Sequence, residues 1–244
     1  MKKHALLLLA ALAFLAGCGH TARILPPNPY EDIVTVAVAP FVNYTKTDMD
    51  EMKTGEIFAS ELVKFSGFRV IRPSVVIDTV RREGLKVETP EDAVALAKVL
   101  KADAIIIGAV TEFNPYYPGK VIGMSIQMFT TRKNTRSSAD ELQRLVRSGK
   151  PLEIRTEDQL RSAAAGFERI FDGENSGTLA KLNDFAASYE ETNAVHKGAE
   201  AFLRSTDKYM MFVSNMMITE LVETEMIRRA AAEEAAKKAA EEKR

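Results

Sequence analysis

The residue best placed to do chemistry is Cys18, which is the only cysteine of the chain. Two lysines and then 11 apolar residues, Ala5 to Leu15, precede it, and the small residues Ala16 and Gly17 come directly before it. This order is typical of a secretory signal cleaved between Gly17 and Cys18, because 11 apolar residues fall well short of the roughly 20 that span a bilayer. A thiolate is a strong nucleophile. The pattern therefore predicts a diacylglyceryl thioether and an N-acyl chain, such as palmitate, on Cys18.

Lipid attachment would fix the chain to a membrane, since two or more acyl chains hold a protein there firmly. The sequence thus predicts a signal peptide over residues 1–17 and a lipoprotein from Cys18 onward. Gly19, which stands where an aspartate would favour retention in the inner membrane, predicts a periplasm-facing position at the outer membrane; the periplasmic face of the inner membrane is the alternative. The other interpretation of the signal is an ordinary secretory peptide with Cys18 incidental.

Composition argues against a nucleic-acid partner and against stabilisation by disulfides. Cleavage before Cys18 leaves 31 basic and 34 acidic residues, so a nucleic-acid partner is not expected. A single cysteine allows no intramolecular disulfide, and a hydrophobic core must stabilise the fold.

The remaining candidates for chemistry give no catalytic set. No phosphate-binding lysine motif and no glycine-rich dinucleotide turn is present. Two histidines, His20 and His196, remain after processing, whereas a metal site normally needs several matched ligands. Ser60 and Ser74 lack a histidine nearby in sequence and lack nucleophile-elbow glycines. We therefore expect a protein that is not an enzyme and that needs no metal or cofactor beyond its covalent lipid.

Two polar groups near the first predicted helix have alternative interpretations. Asp48, Asp50 and Glu51 could bind a hard cation, but capping of the helix and complementation of its dipole explain them better. Asn43 and Thr45 follow the first strand, where open α/β sheets often bind ligands. A hydrogen-bonded loop is the favoured interpretation of that pair.

Three tyrosines are candidates for a protein-contact patch. Tyr116 and Tyr117 lie in the turn Asn114-Pro115-Tyr116-Tyr117-Pro118-Gly119, and Tyr30 lies in a proline-rich segment. Tyrosine is enriched at binding hot spots, and a proline-rich turn should be exposed. Packing of the turn is the alternative role for these rings.

The apolar patterns predict the elements that would position these residues. Ile33 to Phe41 is too apolar for a half-exposed strand and is expected to be covered on both faces. The other predicted elements, in chain order, are a helix from Asp50 to Phe65, a strand from Phe68 to Ile71, helices from Pro73 to Arg82 and from Pro90 to Lys101, and strands from Ala104 to Val110 and from Val121 to Thr130. This order predicts the α/β class, with a mixed sheet flanked by helices.

The predicted domain organisation follows from composition. Residues 18–32 contain three prolines and are expected to form a lipid-anchored tether, and residues 33–130 form the α/β domain. Residues 131–165 are polar and predict an irregular helical insertion. An edge strand (Gly166 to Asp172) and helices up to residue 227 complete the same domain. Residues 228–244 predict a charged, alanine-rich helical tail.

The order of these segments resembles a known superfamily. Val36 to Asn43, Phe68 to Ile71 and Ala102 to Glu112, with the helices between them, resemble the periplasmic α/β domain shared by the curli-export lipoprotein CsgG, the penicillin-binding-protein activator LpoB and the amino-terminal domain of TolB. The resemblance covers about Ile33 to Thr130, and Lys208 to Val222 resembles the closing helix. Lys133 to Ala165 lacks the alternation that the strands of a membrane barrel need.

The resemblance implies a non-enzymatic, membrane-anchored lipoprotein that binds an envelope protein and supports the assembly or export of an envelope structure. Two alternatives remain open: an oligomeric curli-type export pore, and an activator of a peptidoglycan synthase. A hydrolase with an unfamiliar site is a third. The identity of the partner and the oligomeric state, including a homo-oligomer, are left open by the sequence.

Overall fold

The computed structural model describes residues 24–131, 164–189 and 198–241. Within these ranges the chain forms one mixed sheet in the order β3-β1-β4-β5-β6, with β2 beside β4. β1 pairs in parallel with β3 and β4, whereas β5 pairs antiparallel with β4 and β6. The strands are β1 (Thr35–Val38), β2 (Val42–Asn43), β3 (Arg69–Ile71), β4 (Ala104–Asn114), β5 (Val121–Thr130) and β6 (Ala165–Asp172).

Helices cover both faces of this sheet. They are α1 (Glu51–Leu62), α2 (Pro73–Glu83), α3 (Pro90–Val99), α4 (Ser176–Ala187), α5 (Ala199–Arg204) and α6 (Thr206–Glu241). Side chains alternate between the faces along each strand. On β4, Ile106 and Val110 enter the larger core cluster under α1, α4, α5 and α6, and Ile105 and Ile107 enter the smaller one under α2 and α3. The α/β class with a mixed sheet flanked by helices is confirmed.

Local sequence signals explain where the first helices begin and end. The Asp50 carboxylate accepts a hydrogen bond from the backbone N–H of Lys53 and caps α1. Thr89 and Asp92 form a reciprocal capping box at the start of α3, and α2 ends at Gly84, whose φ of 62° lies in the left-handed region that glycine adopts without strain. The capping role that the sequence predicts for Asp50 is confirmed.

A close contact between a strand and an aromatic ring anchors the chain after β1. The ring of Phe41 lies directly on β4 at Gly108, so that a Cβ atom placed on Gly108 would overlap the ring atoms of Phe41. Phe41 also packs against Phe58 of α1, with 5.2 Å between the ring centroids. The absence of a side chain at Gly108 therefore allows the segment after β1 to fold down onto the sheet.

Helices α1 and α6 run parallel to each other across the larger core. Lys53 forms an ion pair with Asp207 near the start of both helices, at 2.7 Å. Eight residues later on each helix, the buried Glu61 carboxylate accepts a hydrogen bond from Asn215 Nδ2 at 3.1 Å. The equal spacing fixes the two helices in register, and this places both of their N-termini at the same end of the domain.

Several boundaries differ from the sequence-based expectation. β4 extends four residues beyond the predicted Val110, because after an irregularity between Val110 and Glu112 it continues to pair with β5. β6 begins at Ala165, which the sequence pattern places in the insertion. The predicted closing helix begins two residues earlier than expected, at Thr206, and it continues into the tail as the sequence predicts, as one helix, α6, of 36 residues or about 54 Å. The predicted signal peptide, Gly17, Cys18 and nearly all of the insertion lie outside the described residues.

The described part of the predicted tether lies against the domain. Asn28 donates its backbone N–H to the Ser66 carbonyl at 2.9 Å, and its side-chain amide donates to the carbonyl of Ile33. Leu25 and Tyr30 pack on the larger core cluster. Burial of these apolar side chains favours a docked segment over residues 24–32 rather than a free one.

The contact between Gly108 and Phe41 makes a testable prediction. Gly108→Ala should lower the free energy of unfolding by about 2–3 kcal/mol, since the added methyl group overlaps the Phe41 ring. In the double variant with Phe41→Leu, the cost should be smaller than the sum of the two single costs by more than about 1 kcal/mol. Urea denaturation measures all four proteins, and strictly additive costs would show that the added methyl group does not meet the ring.

Candidate functional site

A surface pocket lies at the end of the domain where α1 and α6 begin. Its volume is about 270 Å³. Apolar side chains come from the loop before α1, from α1, from the end of β4 and the turn after it, and from α6. They are Met49, Ile57, Phe113, Pro115 and Met210. We call this feature the end pocket.

Charged side chains surround the apolar part of the end pocket. Lys53 and Asp207 both line it and form the 2.7 Å ion pair described above. The hydrogen bond from Lys53 to Asp207 and the negative charge of Asp207 raise the pKa of Lys53. Asp50 also lines the pocket while capping α1. Among the described residues, Asp48 lines the pocket without an ion pair or a hydrogen bond, so its carboxylate remains available to a binding partner.

A buried lysine supports the pocket from below. Lys120 is 1% exposed, and its ammonium group donates a hydrogen bond to the hydroxyl oxygen of Thr206, a pocket-lining residue, at 2.9 Å. Burial lowers the pKa of Lys120, and the negative charge of Asp207 partly offsets that effect. A buried ammonium group with a neutral hydroxyl as its acceptor is costly to desolvate. The contact holds the start of α6 against the end of the β4–β5 turn.

The turn between β4 and β5 presents the two neighbouring tyrosines beside the end pocket. The Asn114 side chain accepts a hydrogen bond from the Tyr116 backbone N–H at 3.2 Å and donates one to the Gly119 carbonyl, and these bonds fix the turn. Tyr116 is 74% exposed and directly follows Pro115, a lining residue. The ring of Tyr117 lies under the Arg204 guanidinium, at 4.4 Å from its centroid.

Tyr30 lies elsewhere, among the contacts that dock the tether segment on α6. Its hydroxyl donates to the Leu221 carbonyl at 3.4 Å, and burial raises its pKa above the ordinary value. Arg229 donates to the Pro29 carbonyl and forms an ion pair with Glu31. Tyr30 is therefore part of a packing contact, and it does not share a surface with Tyr116 and Tyr117.

The two groups of contacts lie at opposite ends of the domain. α6 extends from Thr206 at the end pocket to Leu221 beneath Tyr30, a rise of about 22 Å. α1 likewise begins at the end pocket, and the segment after its C-terminus, Ser66 and Gly67, holds Asn28. We call the region of Asn28–Glu31 and its partners the tether end.

Other sequence-predicted residues occupy structural roles. The Asn43 side chain accepts hydrogen bonds from the Thr45 backbone N–H and hydroxyl and donates to the Thr47 carbonyl, which confirms the hydrogen-bonded loop. Glu51 accepts a hydrogen bond from the Asn43 backbone N–H. His20 and His196 lie outside the described residues. Within the described ranges, no three His, Cys, Asp or Glu side chains are grouped closely enough to hold a metal ion.

The sequence does not indicate Lys120, Lys53 or Asp207 as site residues. Each belongs to a contact between segments far apart in the chain, 86 residues apart for Lys120 and Thr206, so no local pattern marks them. Among the described helices, none is long and apolar enough to cross a bilayer.

Comparisons with known proteins give structural similarities only. No family model matches the chain, and no curated protein matches it either. Lipoprotein GNA1162 from Neisseria meningitidis is 18% identical with a TM-score of 0.37, and the match covers 62% of this chain and 94% of that one. The PelC dodecamer from Paraburkholderia phytofirmans is 18% identical with a TM-score of 0.30, covering 45% and 69%.

The LpoB C-terminal domain from Salmonella enterica is 10% identical with a TM-score of 0.33, covering 60% of this chain and 84% of that domain. Identities and TM-scores this low carry no information on what the chain binds.

The buried ammonium group of Lys120 makes a stability prediction. Lys120→Met keeps the apolar stem and removes the desolvated charge, so the free energy of unfolding at pH 7 should rise by about 1 kcal/mol, which is a melting temperature higher by about 2–4 °C. The stabilisation should fade as the pH rises through the lowered folded-state pKa of Lys120 toward the unfolded value, because the lysine then becomes neutral in the folded protein. A loss of more than about 1 kcal/mol at pH 7 would show that the bond to Thr206 outweighs desolvation.

Proposed function

We propose that this chain is a non-enzymatic lipoprotein of the cell envelope, anchored through Cys18, that binds an envelope protein and supports the assembly or export of an envelope structure. The signal pattern before Cys18 supports the anchor. Restricting the domain to a thin layer above a membrane raises its effective concentration for a partner in the same compartment. Binding would therefore need only modest intrinsic affinity.

The observation that carries the proposal is the placement of the end pocket opposite the tether end. Cys18 precedes Asn28 by ten residues, which reach at most about 35 Å when fully extended. Because Asn28 is fixed beside Ser66, the anchor pulls on the tether end of the domain. The end pocket and Tyr116 then face away from the membrane that holds the protein, where a partner has access.

The final part of α6 is a second exposed feature at the tether end. Arg229 is the last residue of α6 with a described contact to the tether segment, and every residue from 230 to 241 is exposed. The tail is therefore an extension that the domain does not need for its own packing.

The tail makes a prediction about stability. Deleting residues 230–244 should leave the free energy of unfolding within about 0.5 kcal/mol of the parent, because the described part of this segment, residues 230–241, is exposed throughout. Deletion from residue 229 should cost more, since it also removes Arg229. Circular dichroism and urea denaturation compare the two truncations. If both cost the same, the contacts of Arg229 with Pro29 and Glu31 do not stabilise the fold.

Lipid attachment is tested by the mass of the mature protein. Intact mass spectrometry of the membrane-extracted chain should show a chain starting at Cys18 that carries a diacylglyceryl group and an N-acyl chain. The Cys18→Ser variant serves as the control and should carry neither. An unmodified Cys18 in the parent would contradict the lipoprotein proposal.

Partner binding at the end pocket is tested by crosslinking in cells. A photoreactive phenylalanine analogue replaces Tyr116, and the same analogue at Val75 on α2, which is half exposed, is the matched control. We expect one discrete adduct with an envelope protein from position 116 and none from position 75. Tyr116→Ala should then lower the affinity for that protein about tenfold, since exposed aromatic residues often dominate binding energy.

Two outcomes of this experiment would count against the proposal. Adducts whose masses are multiples of this chain alone would favour a homo-oligomeric pore. Equal adducts from both positions would show that contact is not confined to the end pocket.

A further inference from the structure

We propose that the end pocket receives an arginine side chain of the protein partner, with the stem of the arginine against the apolar floor and its guanidinium on Asp48. This inference rests on the proposed function and specifies the chemistry of the contact. It follows from the size of the pocket, from its apolar lining and from the pairing of the charges around it.

The size is sufficient for a single long side chain. Sites for small molecules and cofactors usually occupy roughly 300–1,000 Å³, whereas the end pocket has about 270 Å³ and opens to the surface. A pocket of this size accommodates one anchoring residue of a protein, which is how interface hot spots commonly bind.

The apolar floor selects a side chain with a hydrocarbon stem. Met49 and Met210 lie on different elements, and methionine adapts its shape to irregular partners. Ile57 and Phe113 complete the floor. The three methylene groups of an arginine can be buried against such a surface while the charged head stays at the rim.

The charges around the pocket favour a bound side chain whose end group is positively charged. Asp207 is committed to Lys53, and Asp50 is committed to the N-terminus of α1, whose dipole its charge offsets. Lys120 is held behind Thr206 and does not line the pocket. Asp48 is exposed and, among the described residues, has no charge partner. A guanidinium placed at the mouth would complete the pairing, with a planar group suited to a carboxylate.

The neighbouring turn adds a second contact for the same partner. Tyr116 directly follows Pro115, which lines the pocket, and is mostly exposed. Arginine and tyrosine are both enriched in the cores of protein interfaces. An arginine in the pocket would bring the backbone of the partner over Tyr116.

The test uses the mature chain, residues 18–244, in detergent micelles with isotope-labelled methionine methyl groups. The variants Met49→Leu and Met210→Leu each lack one methionine methyl signal, and this assigns the signals of the two pocket methionines. N-acetyl-arginine amide is titrated in, with N-acetyl-norleucine amide as the uncharged analogue and N-acetyl-glutamate amide as the acidic one. We expect saturable shifts of both signals by the arginine probe at roughly millimolar concentration, because a ligand this small gains little binding energy. The norleucine and glutamate probes should each bind at least about fivefold more weakly, since neither carries a cation for Asp48.

Asp48→Asn should lower the affinity for the arginine probe about three- to tenfold, because the charge-assisted hydrogen bond is lost. The control Asp78→Asn, at an exposed aspartate on α2, should leave this affinity unchanged. Equal binding of the arginine and norleucine probes, or no effect of Asp48→Asn, would overturn the inference. If Tyr116 still crosslinks to its partner in that case, the proposed function stands without it. If the arginine probe binds as expected and no partner is crosslinked, the proposed function is wrong, but the inference that the end pocket binds an arginine side chain is supported.

Discussion

The parallel packing of α1 on α6 is the constraint on which the rest of the structure depends. Lys53 with Asp207 and Glu61 with Asn215 fix the two helices in one register. Glu61 is fully buried, and its carboxylate accepts from Asn215 on α6 as well as from Lys64 just after α1. A shift of one helix would leave a buried oxygen of this carboxylate without its Asn215 donor, which costs about 1–3 kcal/mol. This register places both N-termini around the end pocket, and it places the tether contacts at the other end of both helices.

Much of the fold could be predicted because its signals are local. The cap at Asp50, the glycine at position 84 and the alternation along β5 each act within a few residues. The candidate site could not be predicted from the sequence, because its parts meet only in the folded chain. Lys120 follows a glycine in a turn, and this pattern predicts an exposed residue. In the folded chain, however, the start of α6 covers it. Tyr30 has the pattern of a tether residue, yet its acceptor lies 191 residues away.

In the proposed function, anchoring and partner binding are assigned to opposite ends of the domain. The tether segment is held to α6 by Arg229 and to the segment after α1 by Asn28, so force from the proposed anchor would enter a well-packed region. The end pocket combines an adaptable apolar floor with a rigid turn, which suits recognition of one anchoring side chain. The sheet lies between the helices, and among the described residues its contribution to the end pocket is Phe113, near the end of β4.

The proposed orientation of the end pocket away from the membrane can be measured directly. Because the proposed lipidation would consume the thiol of Cys18, a cysteine placed at Ser66 or at Tyr116 would become the single labelling site of the mature protein. Energy transfer from a dye at each position to acceptor-labelled lipids in reconstituted vesicles measures the two heights. We predict that position 116 lies roughly 20 Å farther from the bilayer than position 66, from the rise along α6. Equal heights, or a lower position 116, would contradict this orientation.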